Sequence, residues 1–141
     1  MIKPIGWETA GTTEFGDNPE LSTRLISLII QGKKTATCGA LRDYHAEGIT
    51  APVPGQRELI LDHLGNPVAG LAYTEVTIRR FRDVPEDFAL AEGEGGFHDW
   101  TEGHRAYFAR NGGFSPDMLL VCERFILVEQ LDGPNGASAA Q

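Results

Sequence analysis

The side chains most able to do chemistry lie in two short segments, Lys33-Lys34-Thr35-Ala36-Thr37 and Glu92-Gly93-Glu94-Gly95-Gly96. The first sets two amines among two hydroxyls. An amine can take up or give a proton, and a threonine hydroxyl becomes a nucleophile once a neighbouring base removes its proton. The second carries two carboxylates, and its glycines free the backbone to bring an acid close to a lysine. Gly32-Lys33-Lys34-Thr35 invites a phosphate-binding loop, but that motif needs glycine where Ser27 stands, and a strand where a helix precedes it. Side chains alternate along a strand, so Lys34 and Ala36 point one way and Lys33, Thr35 and Thr37 the other, unless the junction twists Lys34 back. The bland alternatives are a solvated lysine pair at the negative end of a helix and solvated acids in a turn.

Other candidates are fewer. His45, His63, His98 and His104 show no metal-site spacing, which predicts no structural metal. His104 reads as a helix-face residue half in the core. Tyr44 and His45 fall in a loop, where they could stack on or hydrogen-bond to a base. Glu75 and Glu123 interrupt apolar strands, which predicts ion pairs closing the sheet, with Arg57, Arg79 or Arg124 as partners. Cys38 and Cys122 belong to no C-x-x-C pair and read as buried free thiols.

Several elements must position these groups. Asn18 as N-cap, Pro19 and Glu20 open a helix whose apolar face is Leu21, Leu25, Leu28 and Ile29, and Gly32 ends it. A strand is predicted over 33–41, then a long loop from Arg42 to Pro54. Strands over 57–62 and 68–78 form a hairpin around His63-Leu64-Gly65-Asn66-Pro67. Val84-Pro85-Glu86-Asp87 opens a short helix. A second helix carries Trp100, His104, Tyr107 and Phe108 on one face and stops at Gly112-Gly113. A long apolar strand spans Met118 to Glu129. Strands scattered among a few helices, without strict alternation, predict a small α+β barrel.

The chain has 141 residues, 41% hydrophobic and 23% charged, which predicts one domain over 1–131 and a flexible tail over 132–141. Its formal net charge of −8 argues against coating nucleic acid by bulk attraction, though not against a small cleft that grips one or a few nucleotides. The opening residues lack the apolar run of a signal peptide, and no window approaches about 18 apolar residues, so the chain reads as cytoplasmic and not membrane-bound.

Five segments, taken in order, resemble bacterial ASCH domain proteins: Phe15-Gly16-Asp17-Asn18-Pro19, Gly32-Lys33-Lys34-Thr35-Ala36-Thr37, Glu92-Gly93-Glu94-Gly95, Phe114-Ser115-Pro116-Asp117-Met118 and Val121-Cys122-Glu123-Arg124-Phe125. The resemblance covers about residues 14 to 129 and implies a PUA-like barrel with helices flanking a cleft. It also implies an RNA-linked role, as an N4-acetylcytidine amidohydrolase or as a ribonuclease on single-stranded RNA. In the amidohydrolase branch a lysine, a threonine and a glutamate act together, and they fall on Lys34, Thr37 and Glu94, with Glu92 the alternative acid. Lys34 would free the Thr37 hydroxyl for attack on the acyl carbon if burial favours its neutral amine, and Glu94 would carry the proton to the departing amine. Lys33, Thr35, Tyr44, Glu92 and Ser115 are the expected substrate contacts. The amidohydrolase reading needs no cofactor, whereas the ribonuclease reading admits a divalent cation. A non-catalytic module that binds RNA or a modified base is the third expectation.

Overall fold

The computed structural model describes residues 2–131. The predicted tail, 132–141, lies outside them. The elements are β1 (Gly11–Glu14), α1 (Pro19–Ile30), β2 (Ala36–Ala40), α2 (Leu41–Ala46), β3 (Arg57–Leu61), β4 (Pro67–Arg80), α3 (Glu86–Ala91), α4 (Phe97–Arg110) and β5 (Leu119–Gln130). One mixed sheet, ordered β1-β3-β4-β5-β2, curls into a half-barrel with four helices, the α+β class predicted. Only β1 and β3 run parallel; the other three pairings are antiparallel.

The long strand β5 faces both halves of the core because its side chains alternate. Leu120 and Cys122 join Ala36, Ala40, Phe81, Trp100 and Phe108, beneath α3 and α4. Phe125 points the other way, to Phe15, Leu71, Tyr73 and the buried stripe of α1, Leu25, Ile26 and Ile29. α1 begins as its sequence requires: the Asn18 side-chain oxygen accepts from the Leu21 N–H at 2.9 Å, and Pro19 fills the first turn where no donor is needed.

Three expectations need correction, and one strand is present that the sequence left unassigned. The strand predicted over 33–41 starts only at Ala36, because the N–H groups of Lys33 and Lys34 both donate to Leu28 O and prolong the end of α1. The predicted loop from Arg42 is helical through Ala46, which seats Tyr44 on α2. Gly11-Thr12-Thr13-Glu14 carries no apolar alternation and was not expected to be a strand; it exists because β3 offers it a parallel edge. The expected pairing of both strand acids fails for Glu123. A bulge between Tyr73 and Glu75 turns Glu75 outward, where its 58% exposed side chain meets Arg124 at 3.4 Å. Glu123 remains inside without an arginine.

Gly70 shows how tightly the other end of the sheet is closed. Trp7 is buried against it, donates to Glu129 at 2.8 Å and carries the Arg57 guanidinium over its ring. A Cβ at Gly70 would fall 2.1 Å from the Trp7 ring. Gly70→Ala should therefore destabilise the protein by about 2 kcal/mol through overpacking. Urea unfolding will measure that loss, and native emission shifted to longer wavelength will show Trp7 displaced.

Candidate functional site

Helix α1 ends on Gly32 with φ of 76°, and the chain turns at once toward β2. Lys34 therefore precedes the strand, and strand alternation does not govern its direction. It points inward. The residue is only 2% exposed, and its ammonium lies 3.2 Å from Glu92 Oε1, 3.4 Å from the Glu92 carbonyl and 3.6 Å from Glu94 Oε2. The end of α3 is tied to this turn by the Thr35 N–H, which donates to Ala91 O at 2.8 Å.

Gly93 allows two acids to reach one lysine. Its φ is +77°, and a Cβ there would meet Lys33 O at 2.4 Å. Only glycine lets the chain press so closely on the lysine turn while sending Glu92 inward and Glu94 to the opening. Glu92 is 1% exposed and fully engaged. Its Oε2 accepts from the Trp100 indole at 2.9 Å, and its Oε1 lies 3.3 Å from His104 Nε2. Burial alone would raise the Glu92 carboxyl. The Lys34 charge, the hydrogen bond and charge of His104 and the Trp100 donor together hold it at about 2. Glu94, whose side chain is 17% exposed, bridges Lys34 and Arg24, each at 3.6 Å.

His104 follows Trp100 by one helical turn and stacks on it, ring centres 4.5 Å apart. Its Nδ1 lies 2.9 Å from Trp100 O, which turns Nε2 toward Glu92. Burial favours the neutral ring, but the Glu92 hydrogen bond and charge, with Glu94 behind them, raise its pKa above the ordinary value.

These groups line a cleft of about 490 Å³, within the ordinary range for a small-molecule site. α1 gives Arg24, β2 gives Thr37, α2 gives Tyr44 and α4 gives His104, Tyr107 and Arg110, with Glu123 on the sheet. Lys34, Thr37, Tyr44, Glu92 and Glu94 are thus brought to one concavity. Three expected contacts are not. Lys33 is exposed, Thr35 is exposed with its hydroxyl turned to Ala91 O, and Ser115 is exposed with its hydroxyl accepting from the Asp117 N–H. Sequence reasoning left out the Trp100–His104 pair and Arg24. The four-residue spacing of Trp100 and His104 signalled a shared helix face, but not that Glu92 would meet it.

Cys38 Sγ, Glu92 and His104 come within 4.8 Å of one another, a spacing a metal ion could use. The chemistry of the set argues otherwise. The Lys34 ammonium already neutralises Glu92. The Cys38 thiol is pushed well above its ordinary value by burial and by the Glu92 charge, which opposes the thiolate a metal would need. Lys34 occupies the role a cation would play.

A family model described as ASCH domain matches residues 11–129. Among solved structures, the chain is similar to an ASCH domain from Lactobacillus crispatus, at 30% identity and a TM-score of 0.79, over 87% of this chain and 82% of that one. It is also similar to a protein from Enterococcus faecalis, at 37% identity and a TM-score of 0.78, over 92% and 79%. A mutant ASCH protein from Zymomonas mobilis, 13% identical with a TM-score of 0.55 over 81% and 69%, shares the fold alone. No curated protein matches the chain. Among the described residues no helix is long and apolar enough to cross a membrane.

The depressed Glu92 carboxyl fixes a sign. Its stabilisation is fully present above the ordinary value of 4.5 and is lost as pH falls toward about 2. Acid titration of unfolding free energy should show that loss in the natural protein and a flatter profile in Glu92→Gln. At neutral pH the variant should be less stable by about 3 kcal/mol, since a buried ammonium loses its nearest anion; an unchanged acid limb would refute the pairing.

Proposed function

This chain belongs to the ASCH domain family, and from that premise we propose that it hydrolyses the amide of an acylated nucleobase such as N4-acetylcytidine. The family is generally RNA-associated. One observation carries the finer reading: a buried lysine ammonium stands between two carboxylates on the wall of a nucleoside-sized cleft that a threonine hydroxyl also lines. A solvated lysine pair would need no such arrangement.

The steps assign each proton. Glu94, within 3.6 Å of Lys34, takes a proton from it. The freed amine accepts the Thr37 hydroxyl proton as the oxygen attacks the acyl carbon. Glu94 delivers its proton to the ring-bound nitrogen, and the C–N bond breaks to leave an acyl-threonine. Water, deprotonated by Glu94, then releases the acid while Lys34 returns a proton to Thr37. Glu92 stays ionised throughout, because its carboxyl is held at about 2, and it positions Lys34.

Charge favours a nucleoside over a strand. Glu14, Glu47, Glu92 and Glu94 line the cleft against Arg24, Lys34 and Arg110, and Glu123 adds a further negative charge once it ionises. Phosphates would meet a net negative wall. Arg24 and Arg110 supply the observation behind a second reading, cleavage of single-stranded RNA, since they line the cleft where phosphates could approach. Both are already engaged, Arg24 with Glu94 at 3.6 Å and Arg110 with Asp17 at 2.7 Å.

Incubation with N4-acetylcytidine and with labelled single-stranded RNA, each with and without chelator, separates the readings. Acetate release supports the first, chelator-sensitive fragments the second, and retention without turnover a binding module. Lys34→Ala, Thr37→Ala and Glu94→Gln should each slow acetate release by roughly 100-fold or more. Full activity in Lys34→Ala would eliminate the assignment.

A further inference from the structure

Glu123 takes no part in the steps above, yet it is buried and faces the same cleft. It lies on β5 directly opposite Thr37 of β2. Cross-strand partners stand on one face of a sheet, so the acid and the hydroxyl open to the same side. The next residue on that face of β2 is Gly39, where a Cβ would meet the Tyr44 ring at 3.1 Å. The missing side chain lets Tyr44 lie across the strand, and Tyr44 and Glu123 both line the cleft.

No cation pairs with Glu123 among the described residues. Its neighbour Arg124 turns to the outer face, where it meets Glu75 at 3.4 Å and Asp87 at 3.0 Å. The ionisable groups that do face Glu123 are Tyr44 from α2, Glu58 from β3, Tyr73 from β4 and Glu92 after α3. Glu58 is itself engaged by the Tyr73 hydroxyl. Burial, opposed by the Tyr44 hydrogen bond and reinforced by the charges of Glu58 and Glu92, pushes the Glu123 carboxyl up to about 7.

We infer that Glu123 and Tyr44 together present a hydrogen-bond donor that reads the ring-nitrogen edge of a cytosine-type base, with Glu123 acting in its protonated form. A neutral carboxyl and a phenol carry two O–H groups between them. Both residues line the cleft, so at least one of these donors is free to face a bound base even where the two groups bond to each other. Cytosine answers a donor with acceptors at N3 and O2, whereas uracil presents an N–H at N3. Once ionised, Glu123 only accepts, and the preference for cytosine goes. The inference rests on the nucleobase reading of the cleft and adds which base it selects and in which protonation state. A misplaced polar edge in a buried site leaves groups unpaired, which makes such discrimination strong.

The test measures binding of cytidine and of uridine to the full chain by calorimetry from about pH 5.5 to about pH 8.5, across the range in which the acid should ionise. The ¹³C shift of the Glu123 carboxyl, followed by NMR in the natural protein, reports its ionisation without any substitution. Cytidine affinity should fall about tenfold per pH unit above about 7, because only the protonated fraction binds. Glu123→Gln keeps a neutral donor and should bind cytidine without that slope. His104 also lines the cleft and titrates, and the variant separates the two because it leaves His104 intact. A slope that survives in Glu123→Gln, or equal binding of cytidine and uridine at every pH, overturns the role of Glu123 alone. A carboxyl that titrates as expected while neither nucleoside binds at any pH overturns the nucleobase reading, and this recognition with it.

Discussion

A lysine ammonium removed from water needs anions within reach, and most of the site follows from meeting that need for Lys34. An isolated buried charge would cost several kcal/mol even after the protein relaxes. The answer is local and complete: Glu92 in the interior, Glu94 at the opening, and the Glu92 carbonyl between them. Glu92 in turn must be satisfied, and Trp100 and His104 do so from α4. One buried cation thereby sets the turn at Gly93 and the seat of α4, and it joins the end of α1 to the end of α3.

Charge elsewhere in the half-barrel obeys the opposite logic. Glu123 and Glu58 sit among tyrosines rather than arginines, and both carboxyls are raised by burial. A fold that supplies a cation to one acid and withholds it from others separates their protonation states within one cavity. Such separation is how a single pocket holds an ionised anchor and a neutral donor at the same pH. The outward turn of Glu75 at the β4 bulge is part of this device, because it draws Arg124 to the far side of the sheet.

The elements were legible where local rules decide them. Asn18-Pro19 and Gly32 bracket α1, Gly112-Gly113 stops α4, and the apolar runs of β4 and β5 declare buried strands. β1 was not legible, since Gly11–Glu14 has neither period nor apolar content and is held by its parallel neighbour. At the site, the association of Lys34 with the Glu92–Glu94 turn was visible as two chemically complementary segments. The fate of Lys33, Thr35 and Ser115 was not, because exposure depends on which way a junction turns.

By itself, then, the order of residues determined α1, α3, α4 and the apolar strands, and set out a basic segment and an acidic, glycine-rich one able to meet. Those features arise from capping, periodicity and backbone freedom, which act over a few residues. Tertiary structure alone decided that Glu92 would be the buried anchor and Glu94 the half-buried acid at the opening, and that His104 would close on Glu92. It alone decided that Glu123 would face Tyr44 and Thr37 without a cation. These outcomes depend on dielectric and on distances between segments far apart in the chain, and no local pattern encodes either.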